Sequence, residues 1–116
     1  MSEERESSEV LRLLADEYAR RILLETSAQA LSAKELATRC DASLSTVYRR
    51  AEALEAEGLL VERRALDDAG HHHTRYEATV GDLTITFEDG TMDMTITEDT
   101  ADRFTRVWEG IRGDDR

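Results

Sequence analysis

A short stretch of the chain, Ser43 to Arg50, is rich in side chains that donate hydrogen bonds. It reads SLSTVYRR and supplies three aliphatic hydroxyls, one phenol and two guanidinium groups. Groups of this kind bind partners through hydrogen bonds and charge, and a guanidinium suits planar acceptors and phosphate. The chain has no nucleophile elbow, phosphate loop or zinc-hydrolase motif. The stretch therefore indicates a binding surface, and we expect no enzymatic activity.

Three other groups could bind a metal or sense redox state, and for each we favour a simpler interpretation. His71, His72 and His73 are adjacent and cannot easily converge on one ion, with no cysteine or carboxylate placed to complete tetrahedral zinc. Cys40, the single cysteine, reads as a small half-buried residue at a helix end. Met92 and Met94 alternate with an aspartate on a strand, which points both sulfurs to a core. No metal and no cofactor are predicted.

The charge balance limits what the binding stretch can contact. The chain has 26 acidic and 15 basic residues, net -11, and Lys34 is its one lysine among arginines. This composition resembles that of cytoplasmic proteins of salt-loving archaea, in which molar salt shortens the Debye length to about 3 Å. The excess is uneven: residues 1–58, 59–80 and 81–116 carry -4, -1 and -6. The least acidic segment adjoins the donor-rich stretch.

The length of 116 residues fits one domain. No run is apolar enough or long enough to cross a membrane, and the acidic start is unlike a signal peptide. We therefore expect a cytoplasmic protein with a disordered acidic lead-in over residues 1–8. Residues 9–80 form the predicted binding domain, and residues 81–113 form an extension that completes the core or the subunit interface.

Periodicity predicts the helices that position the donor-rich stretch. A first helix over 9–26 carries an apolar stripe that includes Leu11, Leu14 and Tyr18. A second, SAKELATRC, begins with a capping box of Ser32 and Glu35. A third covers 44–57, with Ser43 as N-cap, a left-handed Gly58 after its end, and a buried face of Leu44, Val47, Ala51 and Leu54.

Alternation predicts two β-hairpins after the third helix. The first joins LLVERRAL to RYEATV through a polar loop. The second, LTITFEDGTMDMTIT, turns at Asp89-Gly90, which pairs Phe87 with Met92 and places six apolar side chains on one face. A last helix over 100–112 has an apolar stripe containing Phe104, Val107, Trp108 and Ile111.

The order helix, helix-turn-helix, hairpin resembles the ArsR-type winged-helix transcription regulators, over residues 18–80. The matching motifs are ARRILL, LSAKELA and SLSTVYRRAEALEAEGLL. The resemblance implies an α+β fold, a winged helix-turn-helix with an added β-hairpin and a C-terminal helix. It also suggests similarity to acidic winged-helix proteins of halophilic archaea. The paired metal ligands of the metal-sensing members are missing, so metal sensing is not implied.

The resemblance implies double-stranded DNA as the partner. The third helix would read the major groove through its N-terminal half, with Arg49 on guanine, while the hairpin over 59–80 serves as a wing on the backbone or minor groove. The implied DNA contacts are Ser43, Ser45, Thr46, Tyr48, Arg49, Arg50, Arg63, Arg64, His71, His72, His73 and Arg75.

Half-sites one helical turn apart favour a homodimer. The apolar stripes of the first and last helices are the predicted interface: Leu11, Leu14, Tyr18, Phe104, Val107, Trp108 and Ile111. Two alternatives stay open at the level of sequence. One is an acidic winged-helix module that docks a protein partner through the C-terminal extension. The other is a sensor that holds an unknown effector between the second hairpin and the last helix.

Overall fold

The computed structural model describes residues 2–66 and 69–98, and within them the chain forms four helices and five strands. The helices are α1 (Ser2–Ala15), α2 (Glu17–Ala28), α3 (Ala33–Cys40) and α4 (Leu44–Ala56). The strands are β1 (Leu31–Ser32), β2 (Leu60–Leu66), β3 (His72–Ala78), β4 (Val80–Glu88) and β5 (Thr91–Glu98). The fold is an α+β winged helix-turn-helix with an added β-hairpin, as predicted. The expected last helix lies outside the described residues.

The prediction of a single first helix over 9–26 is wrong, because the helix is interrupted at Asp16, between α1 and α2. This residue has extended backbone angles and caps α2, its Oδ2 accepting the N–H of Ala19 at 2.8 Å. The break changes the phase of the apolar stripe, and among residues 8–15 of α1 Val10 and Leu13 are the buried ones. Helix α1 begins at Ser2, so the segment predicted as a disordered lead-in, residues 1–8, has helical backbone from Ser2 onward in the structure.

Helices α3 and α4 form the helix-turn-helix. The capping box of Ser32 and Glu35 is confirmed, with both reciprocal hydrogen bonds present. Asp41, in the left-handed region, ends α3 and donates its N–H to Thr38 and Ala37 carbonyls. Ser43 caps α4, and Gly58 has a φ of 77°, so both predicted ends are confirmed. These caps satisfy backbone groups at the helix ends and fix where each helix begins and ends.

The wing is built on a small antiparallel sheet. Its strand order is β1-β3-β2, with Arg63 opposite Arg75 and Glu62 opposite Tyr76. The two residues of β1 were not predicted as a strand, because so short a segment has no periodicity; they pair with Tyr76 and Arg75. This pairing ties the wing to the start of α3.

The second hairpin has the predicted register. Phe87 pairs with Met92, and Leu83 pairs with Ile96 at the far end. Asp89 and Gly90 both have positive φ, 52° and 77°, which gives the turn that a two-residue hairpin needs. Met94 packs against the core as expected, whereas Met92 is half-buried on the same face.

The core lies among the helices and the inner face of the wing sheet. Its largest fully buried members are Ile22, Leu31, Leu36, Leu54, Leu59, Val10, Val47 and Thr26. Thr26 is the buried polar residue there, and its hydroxyl donates to the carbonyl of Ile22 at 2.6 Å. Helix α1 packs against β5, so the added hairpin shares this core.

Candidate nucleic-acid interface

The N-terminus of α4 presents a cluster of three hydroxyls. Ser43 Oγ accepts the N–H of Thr46 at 3.1 Å and donates to Thr46 Oγ1 at 3.0 Å. Ser45 Oγ lies 3.2 Å from Ser43 Oγ. Ser43 and Ser45 are exposed and Thr46 is half-buried. The helix therefore begins with polar groups that face outward, next to backbone N–H groups of the first turn that favour an anion.

The outer face of α4 continues with large side chains that remain accessible to solvent. Tyr48 is 53% exposed and Leu44 is 42% exposed. Leu44 was predicted to share the buried face, which is wrong; Val47, Ala51 and Leu54 form that face without it. Leu44 sits at the first turn, beyond the reach of the core. A leucine held outward beside the hydroxyl cluster gives the surface an apolar contact point that sequence analysis missed.

Arg49 is an exposed cation on this face. It makes no hydrogen bond or ion pair with residues of the described segments. The ten residues 42–51 contain two arginines and no acidic residue. The N-terminal half of the outer face is thus locally basic through Arg49, up to the exposed Glu52 one turn later, although the chain as a whole is acidic.

Arg50 is held within the protein by an acidic partner. Its guanidinium forms two hydrogen bonds with Asp16, Nε to Oδ2 at 2.8 Å and Nη2 to Oδ1 at 3.1 Å, and lies 6.0 Å from the ring centre of Tyr18. These hydrogen bonds lower the pKa of Asp16 and raise the pKa of Arg50. Because the pairing holds Arg50 against the helical body, this residue is a weaker candidate for a DNA contact than the sequence suggests.

The wing carries the other predicted basic residues. Arg64 and Arg75 are exposed, whereas Arg63 donates from Nε to Glu77 Oε1 at 2.8 Å. The pKa of the Glu35 carboxyl of α3 is lowered, mainly by the hydrogen bond that it accepts from the backbone N–H of Ser32. The positive charge of Arg75 contributes to the same lowering. Arg64 is therefore the wing arginine least engaged with acidic neighbours in the described part of the chain.

The histidines belong to the start of β3 and the residue before it. His71 and His73 are exposed, and Gly70 with a φ of 84° turns the chain into them. Within the described segments, no three metal-binding side chains are grouped together. The exposed pair extends the polar surface of the wing next to Arg64.

An acidic contact joins the end of α4 to the wing. Burial, a hydrogen bond with Glu62 of β2, and the charges of Glu62 and Glu52 raise the pKa of Glu55 to about 7. Tyr76, opposite Glu62 and buried, has its pKa raised to about 12, mainly by burial. The contact is not visible in the sequence, because Glu55 and Glu62 are ordinary surface residues in their separate elements.

Some of the residues predicted for the subunit interface lie in the described part of the chain, and the others lie outside it. Leu11, Leu14 and Tyr18 are half-buried, and Leu14 packs against the core. Phe104, Val107, Trp108 and Ile111 lie outside the described residues.

Cys40 is buried, and burial raises the pKa of its thiol.

Comparison with known proteins supports the fold. A family model described as a helix-turn-helix domain matches residues 14–64. The structure is similar to that of HlyU from Vibrio cholerae N16961, with a TM-score of 0.52 and 24% identity, covering 65% of this chain and 76% of that one. A comparison with curated sequences gives no significant match. Among the described residues, no helix is long and apolar enough to cross a membrane.

Proposed function

We propose that this chain is a sequence-specific DNA-binding transcription regulator that acts as a homodimer. Helix α4 enters the major groove with its N-terminal half, and the wing over 59–80 contacts the backbone or the minor groove. The observation that carries the proposal is the outer face of α4. In a helix-turn-helix, this face holds an exposed hydroxyl cluster and Arg49, which has no partner within the described segments.

The chemistry of this face suits base edges. A guanidinium fork matches the two acceptors of guanine, and each good bidentate pair contributes about 1–3 kcal/mol of discrimination. Ser45 and Thr46 add short hydroxyls, and Ser43 sits where backbone N–H groups attract a phosphate. Tyr48 reaches sugar or phosphate beside them. Leu44 adds an apolar contact that suits the methyl group of thymine.

The wing supplies the contacts that position the protein. Arg64 and Arg75 are exposed on β2 and β3, and His71 and His73 extend the surface toward the wing tip. Arg63 contributes less, since Glu77 already holds its guanidinium. Phosphate contacts fix orientation and carry little sequence information. Loss of one wing arginine should therefore weaken binding to all sequences equally.

We propose a dimer because the part of α4 that would contact base edges is small. One α4 contacts a few base pairs, and two copies related by a two-fold axis read half-sites about 34 Å apart. The half-buried Leu11 and Tyr18, on α1 and α2, offer apolar surface near the helix junction for a second copy. Arg50 and Asp16 connect this junction to the reading helix within each subunit.

The acidic character of the chain sets the conditions for binding. Counterion release normally drives affinity, and its contribution falls as salt rises. At molar salt, the repulsion between acidic side chains and phosphates is screened within about 3 Å. Binding then depends on shape, hydrogen bonds and dehydration at the face of α4, where the neutral and basic residues lie.

Selection from randomised duplex DNA, followed by fluorescence anisotropy from low to molar KCl, tests the proposal. We expect enrichment of a roughly palindromic site. Arg49→Ala should abolish the preference at one base pair in each half-site while retaining the fold. Arg12→Ala, on the exposed side of α1, is the control for loss of one positive charge. A folded protein that enriches no site at any salt would instead indicate the protein-docking alternative.

A further inference from the structure

The apolar face of the second hairpin extends beyond the core. Its side chains are those of Leu83, Ile85 and Phe87 on β4 and of Met92, Met94 and Ile96 on β5. We call these six residues the hairpin face. Leu83, Met94 and Ile96 pack against the core, and α1 lies against β5. Within the described part of the chain, the hairpin face is therefore anchored at its base.

The distal half of the hairpin face, Ile85, Phe87 and Met92, lacks such a cover among the described residues. Phe87 is 77% exposed, the largest exposure of any large apolar side chain described. An open hollow beside it is lined by Phe87, Met92 and the turn between them. A two-stranded hairpin is marginally stable without packing on its apolar face. A cover over the distal half would therefore stabilise the hairpin.

We propose that residues 99–116 of the same chain dock on the distal half of the hairpin face. They follow directly from Glu98, the last residue of β5, which pairs with Val80 at the base of the hairpin. Their apolar residues recur at helical spacing: Ala101, Phe104, Val107, Trp108 and Ile111. A helix over 100–112 spans about 20 Å. The strand from Glu98 back to Met92 also spans about 20 Å.

Charge favours this occupant over a second hairpin. Residues 80–98 contain five acidic residues and no basic residue, whereas residues 99–116 contain four arginines beside five acidic residues. Two hairpins packed face to face would combine ten carboxylates with no cation. Asp82, Glu88 and Asp93 lie on the outer face of each hairpin, so this net repulsion acts over a distance and matters at low salt, where screening is weak. The C-terminal segment is nearly neutral and can place arginines beside the acidic hairpin. This docking is independent of DNA binding.

Trp108 is the single tryptophan of the chain, so its fluorescence reports on the segment. Docking predicts a blue-shifted emission that is protected from acrylamide. Phe87→Asp should shift the emission to the red and remove the protection; since Phe87 is exposed, the fold tolerates the change. Thr84→Asp adds the same charge to the opposite face of β4, where Thr84 pairs with Thr95, and should leave the emission unchanged.

A mixing experiment distinguishes docking within one chain from exchange between copies. Full-length Phe87→Asp chains retain Trp108 but have a disrupted face, and Trp108→Phe chains have an intact face without the reporter. For docking within one chain, the mixture keeps the exposed emission of the first variant. A return toward the blue would show that a second copy is the occupant and overturn the proposal. Exposed Trp108 emission in the unaltered protein would also overturn it.

Discussion

Arg50, in the middle of α4, and Asp16, at the junction of α1 and α2, form an ion pair with two hydrogen bonds. The distances are 2.8 Å and 3.1 Å, and about a quarter of each side chain is exposed. The same carboxylate caps α2 through the N–H of Ala19. One acidic residue therefore starts a helix and fixes the proposed reading helix against the body of the domain.

A double-mutant cycle measures this relationship. We expect Asp16→Asn and Arg50→Gln each to lower the free energy of unfolding, with a coupling of about 1–2 kcal/mol, because a charged bidentate pair exceeds an exposed one but remains partly solvated. Urea unfolding of the four proteins gives the value. Additive effects, within error, would show that the pair is a surface contact of no consequence.

The sequence predicts well where local patterns agree with one another. The register of the second hairpin followed from the Asp89-Gly90 turn and the alternation together, and only one pairing satisfies both. The ends of α3 and α4 followed from Ser32, Ser43 and Gly58, because caps act within a few residues of themselves.

The sequence predicts poorly where a residue's role depends on a distant partner. The break at Asp16 is stabilised by Arg50, 34 positions away, so periodicity across 9–26 suggested one helix. Arg50 itself resembles a phosphate ligand until that carboxylate is placed. The contact of Glu55 with Glu62 likewise needs the wing folded against α4. Arginines that pair with acids inside the protein can thus be told apart from those available to DNA only once their acidic neighbours are known.

The wing arginines should control salt dependence more than specificity. If Arg64 binds a phosphate, Arg64→Ala lowers affinity for all sequences, and the slope of log K against log salt becomes shallower by about 0.9. Anisotropy titrations on specific and scrambled duplexes give both slopes. Arg12→Ala, which removes a cation from an exposed pair on α1, should leave the slope unchanged. A change confined to the specific duplex would instead assign Arg64 to base recognition.

Cys40 should be unreactive in the folded protein. It is 3% exposed, and burial raises the pKa of its thiol, so the reactive thiolate is scarce at neutral pH. We expect an aromatic disulfide reagent to label it at the rate of unfolding, and rapidly in urea. Fast labelling of the folded protein, together with loss of DNA binding on oxidation, would make Cys40 a redox sensor.

Glu55 should make stability depend on pH near neutrality. Its pKa in the folded protein is about 7, against an ordinary value of 4.5, because it is partly buried and faces Glu62 and Glu52. Between these two values the folded state binds more protons than the unfolded state, so this contribution to stability is lost as pH rises from 4.5 through 7.

Glu55→Gln removes that dependence. The variant should gain stability relative to the unaltered protein as pH rises, with a small difference near pH 4.5 and a constant one above pH 7. Urea unfolding midpoints at several pH values measure the difference. Glu88→Gln, next to the exposed turn of the second hairpin, makes the same charge change without the contact and should show no such trend. If the Glu55→Gln difference stayed constant across this range, Glu55 would be ionised normally and its contact with Glu62 would be too loose to share a proton.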